Sequence, residues 1–181
     1  MAIKVHQITY SLVDLKVAAL SGETPGTLID LPGVRQLDVS LTTEEAELRG
    51  DNKILSIVDN GRGAEWSIEE GGMSMAAMQV ITGKSFVDTG TTPNVFRRLD
   101  FKTTDSSPYF FIVGKSDSDD AVEDIHVAIW KAKCTDTIEL SWQDGEFLTP
   151  SFSGRAVGRV SDDLLVTLVQ HETKVAAVVP T

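Results

Sequence analysis

The sequence predicts a mainly β fold with one flanking α-helix over about residues 73–82. Three observations predict it. Apolar and polar residues alternate in short runs, the period of half-buried strands. Clusters of Gly, Pro, Asn and Asp separate those runs, as turns do. Only the stretch beginning at Met73 has helical spacing. The chain has 181 residues with 41% hydrophobic and 24% charged side chains, so one globular domain spanning 1–181 is expected. A chain this long buries roughly 70% of its unfolded surface without needing staples.

Within that domain, residues 1–36 read as an N-terminal strand and a long loop, with Pro25, Gly26, Pro32 and Gly33 punctuating Ser21–Gly33. Leu37, Val39 and Leu41 alternate with Asp38, Ser40 and Thr42. The apolar series then moves to Ala46 and Leu48, so a bulge is expected near Thr43–Glu44. Ile54–Val58 reads as a short strand followed by Asp59-Asn60-Gly61-Arg62-Gly63. Asn-Gly tolerates positive φ and predicts a hairpin there, with Trp66 and Ile68 on one face of the return strand. Met73, Ala76, Ala77, Val80 and Ile81 form the helical stripe, from which Met75 and Met78 depart, and Gly83 occupies the C′ position.

Residues 84–108 read as a long connection enclosing one strand. Tyr109–Val113 is a buried strand, and the five acids between Ser116 and Asp124 mark a solvated loop. Ile125–Cys134 is apolar on both faces through its middle and is expected to be central. Ile138, Leu140 and Trp142 alternate with Thr137, Glu139 and Ser141, giving a strand wet on one face. Leu164–Val169 is the last strand. Trp66, Trp130 and Trp142 all occupy alternating positions that predict burial.

Charge narrows the function. Lys and Arg total 16 against 27 Asp and Glu, a net charge of −11. Such a surface lacks the cationic footprint of a tight nucleic-acid binder. No apolar run reaches membrane-span length, and the N-terminus lacks the apolar core of a signal peptide, so a cytoplasmic origin is expected. Cys134 is the single cysteine and is read as a packed thiol.

Chemistry-bearing patterns are scarce. His6, His126 and His171 stand far apart and share no ligand spacing, so no metal site is expected. Asp117, Asp119 and Asp120 lack the glycine and glutamate of an EF-type calcium loop. Arg49-Gly50-Asp51 has the letters of an adhesion tripeptide but reads as a polar turn between strands. Neither a dinucleotide loop nor a nucleophile elbow is present. No catalytic residue, metal or cofactor is expected, and the chain reads as a structural module rather than an enzyme.

Several segments resemble bacteriophage major tail tube proteins. These are Leu48-Arg49-Gly50-Asp51 with the Ile54–Val58 strand, Ala64 to Gly83 with its Gly-Gly before the helix, and Ile125 to Lys133. Gly145-Glu146-Phe147 and Leu164 to Thr173 complete the resemblance, which covers roughly residues 30–173. Contractile-tail and type VI secretion tubes share the general fold, so those machines remain alternatives, as does a β-sandwich binding module.

The resemblance implies a β-sandwich or barrel-like tail tube protomer that forms stacked hexameric rings. The hollow tube so made would carry phage DNA, without specific binding, to the host. Implied partners are further copies of the chain, a tape-measure protein, and tail terminator and distal tail proteins; no membrane is involved. The implied location is the virion tail, preceded by the host cytoplasm during assembly. Residues 84–108, and the loop at 21–33, are the expected assembly devices. A strand lining a water-filled pore is polar on one face. Glu65, Ser67, Glu69, Glu139 and Ser141 are therefore the expected lumen-facing residues, together with Glu45 and Glu47. An outer solvent face would show the same alternation.

Overall fold

The computed structural model describes residues 8–119 and 122–180, and of Asn60 the backbone alone. Strands dominate it. Those of the large sheet are β1 (Thr9–Ser21), β2 (Thr24–Pro25), β3 (Ile29–Asp30), β4 (Val34–Gly50), β5 (Lys53–Glu70), β8 (Tyr109–Ser118), β9 (Asp124–Lys133), β10 (Ile138–Glu139), β11 (Ser151–Ala156) and β12 (Val166–His171). They hydrogen-bond in the order β2-β1-β8-β9-β11-β5-β4, with β3 on β1, β10 on β11 and β12 on β9. All pairings are antiparallel. The far edge of β9 is shared, by β12 along 124–129 and by β11 at Ala132 and Lys133. The sheet does not close into a barrel: among the described residues β4 pairs only with β5.

Curling of the sheet encloses the main core. Leu15 and Val17 from β1 and Phe110 and Ile112 from β8 meet Trp66 and Ile68 from β5 and Phe152 from β11. Trp66 and Phe110 pack edge to face with centroids 5.4 Å apart, a favoured aromatic geometry. The opposite side of β1, β8 and β9 holds a second cluster of Ala18, Phe111, Val113, Ala128 and Trp130, covered by Ala177 and Val179. Strand β9 is thus central and apolar on both faces, as its sequence predicts. The parity of its side chains changes, however. Phe110 opposes Ala132 while Ile112 opposes Ile129, so an extra residue in β9 puts Ala132 on the Ile129 side.

The helix α1 (Met75–Thr82) starts two residues later than the expected 73. Ser74 is its N-cap, its hydroxyl accepting from the Ala77 amide, and Gly83 caps the C-terminus at φ 69°. A Cβ at Gly83 would lie 2.8 Å from Pro108 Cδ, a second reason for glycine there. The late start rotates the buried face: Met78 is 2% exposed and in the core, whereas Met73 precedes the helix and is 37% exposed. The expectation that Met78 departs from the apolar stripe is corrected accordingly.

Three further expectations change. The β4–β5 hairpin turns at Asp51-Asn52, both in the left-handed region at φ 49° and 61°, with Gly50 opposite Lys53. This is the polar turn expected after Arg49, in the conformation that matches strand twist. Asn60-Gly61 makes no second turn. Instead β5 runs through it, and residues 60–61 together oppose Glu44 as a bulge, with Gly61 at φ 115°. The strand expected over 137–142 shrinks to Ile138–Glu139, and Trp142 is 70% exposed. The 84–108 connection holds two short strands, β6 (Val87–Thr89) and β7 (Phe96–Arg98), which among the described residues pair only with each other and are joined by an Arg97–Asp88 ion pair.

One core residue is out of character. Glu70 ends β5 at 1% exposure, and among the described residues neither carboxyl oxygen has a well-formed hydrogen bond. Burial, partly offset by the nearby Ser74 amide, pushes its pKa from 4.5 up to about 7. The unfolded chain ionises near 4.5 while the folded chain keeps its proton to about 7. Stability from this group is therefore complete below 4.5, falls as pH rises through the interval, and levels above 7. Glu70→Gln removes that loss. In urea unfolding it should exceed the parent by about 2 kcal/mol at pH 8 and match it near pH 4.5.

Candidate functional site

Two surfaces stand out, and both are built on β4 and β5. Residues directly opposite in an antiparallel pair point to the same side. Glu69, Ser67 and Glu65 oppose Gln36, Asp38 and Ser40 on β4, and Ser151, Ser153 and Arg155 on β11. Glu139 on β10 opposes Ser151 and extends the row. The alternate residues Leu37, Val39, Trp66, Ile68 and Phe152 fill the core behind them. The result is a continuous polar sheet face across four strands.

The chemistry of this face is mixed. Ser67 Oγ and Gln36 Nε2 both donate to Asp38 Oδ2, at 3.2 and 2.7 Å. Arg35 lies 3.0 Å from Glu69 and Arg155 3.6 Å from Glu65. These cations were not among the expected site residues. Arg155 stands opposite Glu65 in the β11–β5 register, and Arg35 sits at the irregularity between Val34 and Gln36 beside Glu69; register between distant strands is not written in local sequence. Against Asp38, Glu65, Glu69 and Glu139 they leave a modest excess of negative charge.

Of the seven residues expected to line a lumen, four share this face: Glu65, Ser67, Glu69 and Glu139. Ser141 lies beyond the end of β10. Glu45 and Glu47 lie elsewhere. The bulge that inverts the apolar pattern adds its residue to β5, so β4 keeps its alternation past Thr43. Glu45 and Glu47 therefore continue the side of β4 that carries Leu37 and Val39, away from Asp38 and Ser40.

They belong to the second surface, the far half of the hairpin. Beyond Thr43 and Arg62 the two strands are, among the described residues, paired only with one another and almost wholly exposed. Ala46 and Leu48, with Val58 and Ser56 opposite, form one side of this arm. Glu45 and Glu47, with Asp59 and Ile57 opposite, form the other. Leu48, Ile54, Leu55, Ile57 and Val58 are 49–63% exposed. A two-stranded ribbon is marginal in water, and a cluster of exposed aliphatic side chains on it marks a contact surface. Among the described residues, no strand pairs with the outer edge of β4, which leaves it a template for strand addition.

A third group forms at the other end of the sheet. His171 on β12 opposes Asp124 on β9, and His126 lies two residues along the same face. His171 Nδ1 is 2.8 Å from Asp124 Oδ1, and the imidazole centroids are 4.5 Å apart. Burial acts to raise the Asp124 pKa, but the Val175 amide, His171 and Lys115 outweigh it and hold the carboxylate below its usual range. Burial pushes His126 down from its ordinary value. The expectation that the histidines are unrelated is corrected for His126 and His171, which are 45 residues apart in sequence but lie on the paired strands β9 and β12 with their rings in contact; His6 lies outside the described residues. Asp117, read with the acidic loop, is paired with Lys115 and Lys174.

Cys134 is buried, as expected, and burial raises its thiol pKa. Among the described residues no helix is long and apolar enough to cross a membrane.

No known protein-family model matches the chain, and no curated protein matches it. Among solved structures it is similar to a chain described as "Tail of empty GTA particle computed with helical refinement, C6 symmetry". Identity is 12% and the TM-score 0.39, over 89% of this chain and 95% of that one. A likeness of that degree assigns this chain neither a family nor a role.

Proposed function

We propose that this chain is the repeating unit of a phage-type tail tube. Copies close into rings through strand pairing at the open β4 edge, and rings stack through the arm. The polar face of β10, β11, β5 and β4 lines the bore, through which DNA passes. The observation that carries this reading is the arm: a ribbon with exposed aliphatic side chains is the kind of surface that contact with a partner buries. The sequence resemblance to tail tube proteins makes that partner another copy.

Electrostatics then supplies the working principle. Six copies carry a formal charge of −66 (6 × −11). Phosphates within a Debye length of about 8 Å of a net-acidic wall find no site to hold them. Arg35 and Arg155 do not change this, because each is already paired with a carboxylate of the same face. The bore is a passive conduit.

A binding module is the second reading. Trp142 and Phe147, 70% and 92% exposed on the segment after β10, are the kind of aromatic display such modules use. Negative-stain electron microscopy of the concentrated full chain separates the two. Rings or hollow filaments are expected for the tube. Solitary particles at every concentration would overturn it.

A further inference from the structure

We infer that Asp124, His126 and His171 form a binding site for one borderline divalent transition ion, zinc foremost. The inference is independent of the tube reading, since it needs no assembly. The three side chains come from two neighbouring strands in direct register, and each offers one donor atom; these atoms all lie within 4.8 Å of one another. His171 Nδ1 stands 2.8 Å from Asp124 Oδ1, and His126 Nε2 stands 3.3 Å from Asp124 Oδ2. A tetrahedral zinc with bonds of about 2.0–2.1 Å holds adjacent ligand atoms roughly 3.3 Å apart. Small side-chain rotations convert one arrangement into the other.

Burial and pairing point the same way. Asp124 is fully buried and His126 is 2% exposed, yet among the described residues His126 Nε2 makes no well-formed hydrogen bond, only the 3.3 Å contact with Asp124. A buried imidazole nitrogen whose nearest partner, the Asp124 carboxylate at 3.3 Å, is outside good hydrogen-bond geometry is under-satisfied, and such groups cost stability unless something meets them. The side chain of His171 is 28% exposed, which gives an ion an entry path and leaves a fourth position for water. Asp124 Oδ2 also accepts from the Val175 amide at 2.7 Å and lies 3.2 Å from Lys115 Nζ. Such outer contacts orient a ligating carboxylate.

The donor set decides which ion fits. Lys115 pairs with Asp117 and Asp124 and Lys174 with Asp117, so Asp124 is the one carboxylate that the donor set offers. Mg²⁺ and Ca²⁺ take oxygen-rich sets and have little to gain here. Two imidazoles and one carboxylate suit Zn²⁺ and its neighbours in the series. Lys115 keeps an alternative acceptor in the Val175 carbonyl at 2.8 Å, so it can withdraw from Asp124 when an ion enters. The ion would tie β9 to β12 beside the segment at Val175, which leads to Ala177 and Val179 over the second core cluster.

The test uses the full chain, stripped with a chelator and titrated with ZnCl₂ at pH 7.5 by calorimetry and by thermal melting. Expected are one zinc per chain and a melting temperature raised by about 5–10 °C at roughly a hundredfold excess over Kd. MgCl₂ should leave the melt unchanged. His171→Gln keeps a hydrogen-bonding group beside Asp124 at a part-exposed position, and should fold but lose at least tenfold in zinc affinity. Cobalt substituted for zinc should show the visible bands of a four-coordinate ion, absent in the variant. Absence of stoichiometric zinc binding overturns the inference. So does binding that survives His171→Gln unchanged, which would place the ion elsewhere, for instance at His6.

Discussion

Replacing Leu48 and Val58 together by aspartate should abolish assembly while leaving the protomer folded. Both side chains are more than half exposed on the apolar side of the arm, so their loss removes nothing from either core. Surface substitutions of this kind usually stay within about 0.5 kcal/mol of the parent. At an interface the arithmetic differs. Each aliphatic side chain of this size contributes about 1.5–3 kcal/mol when fully buried. Losing two weakens association by roughly two to four orders of magnitude, before the cost of burying new carboxylates. Sedimentation velocity should show only protomers at concentrations where the parent forms large particles. Melting temperature and circular dichroism should stay near the parent's. Large particles from the double variant would remove the arm from the assembly mechanism.

The second large effect concerns the protomer itself. Gly154 lies in β11 where that strand passes closest to the end of β9. A Cβ there would lie 2.1 Å from the Lys133 carbonyl oxygen and 2.8 Å from the Thr135 amide nitrogen. Both are backbone atoms, so no rotamer change relieves the contact. Gly154→Val forces β11 away from β9 at the short pairing of Arg155 with Lys133 and Ala156 with Ala132. That pairing joins the β5–β4 half of the sheet to the rest. A loss of about 3–5 kcal/mol is expected, a large share of a domain's stability. Gly72→Ala is the control: nothing lies within 4 Å of a Cβ at Gly72, so its unfolding midpoint should barely move. Equal midpoints for the two variants would show that the approach of β11 to β9 is not a tight one.

What was legible in the sequence was local. The alternation of Leu37, Val39 and Leu41, the two-faced run around Ile129 and the glycine cap at Gly83 each report a side chain's relation to its neighbours in the chain. The elements that misled did so where a long-range pairing overrode a local preference. Asn60-Gly61 has the better turn letters, yet Asp51-Asn52 also tolerates positive φ. Turning at Asp51-Asn52 lets β4 and β5 pair along nearly their whole length, and Gly61 is absorbed as a bulge. Trp142 has the alternation of a strand but emerges from a two-residue one, so no sheet face exists there to cover it.

The candidate surfaces were legible in the same partial way. Glu65, Ser67, Glu69 and Glu139 could be grouped because each alternates with core residues. Glu45 and Glu47 could not be placed, because the extra residue sits in the partner strand. The Asp124, His126 and His171 group was hidden by sequence distance, since only the pairing of β12 with β9 brings His171 opposite Asp124.

Helical reconstruction of assembled filaments tests the central claim most directly. Expected is a hollow tube whose bore presents Asp38, Glu65, Ser67 and Glu139, with the arm buried between rings. A bore lined by basic side chains, or a filament with that polar face turned to the outside, would contradict a DNA conduit built in this way.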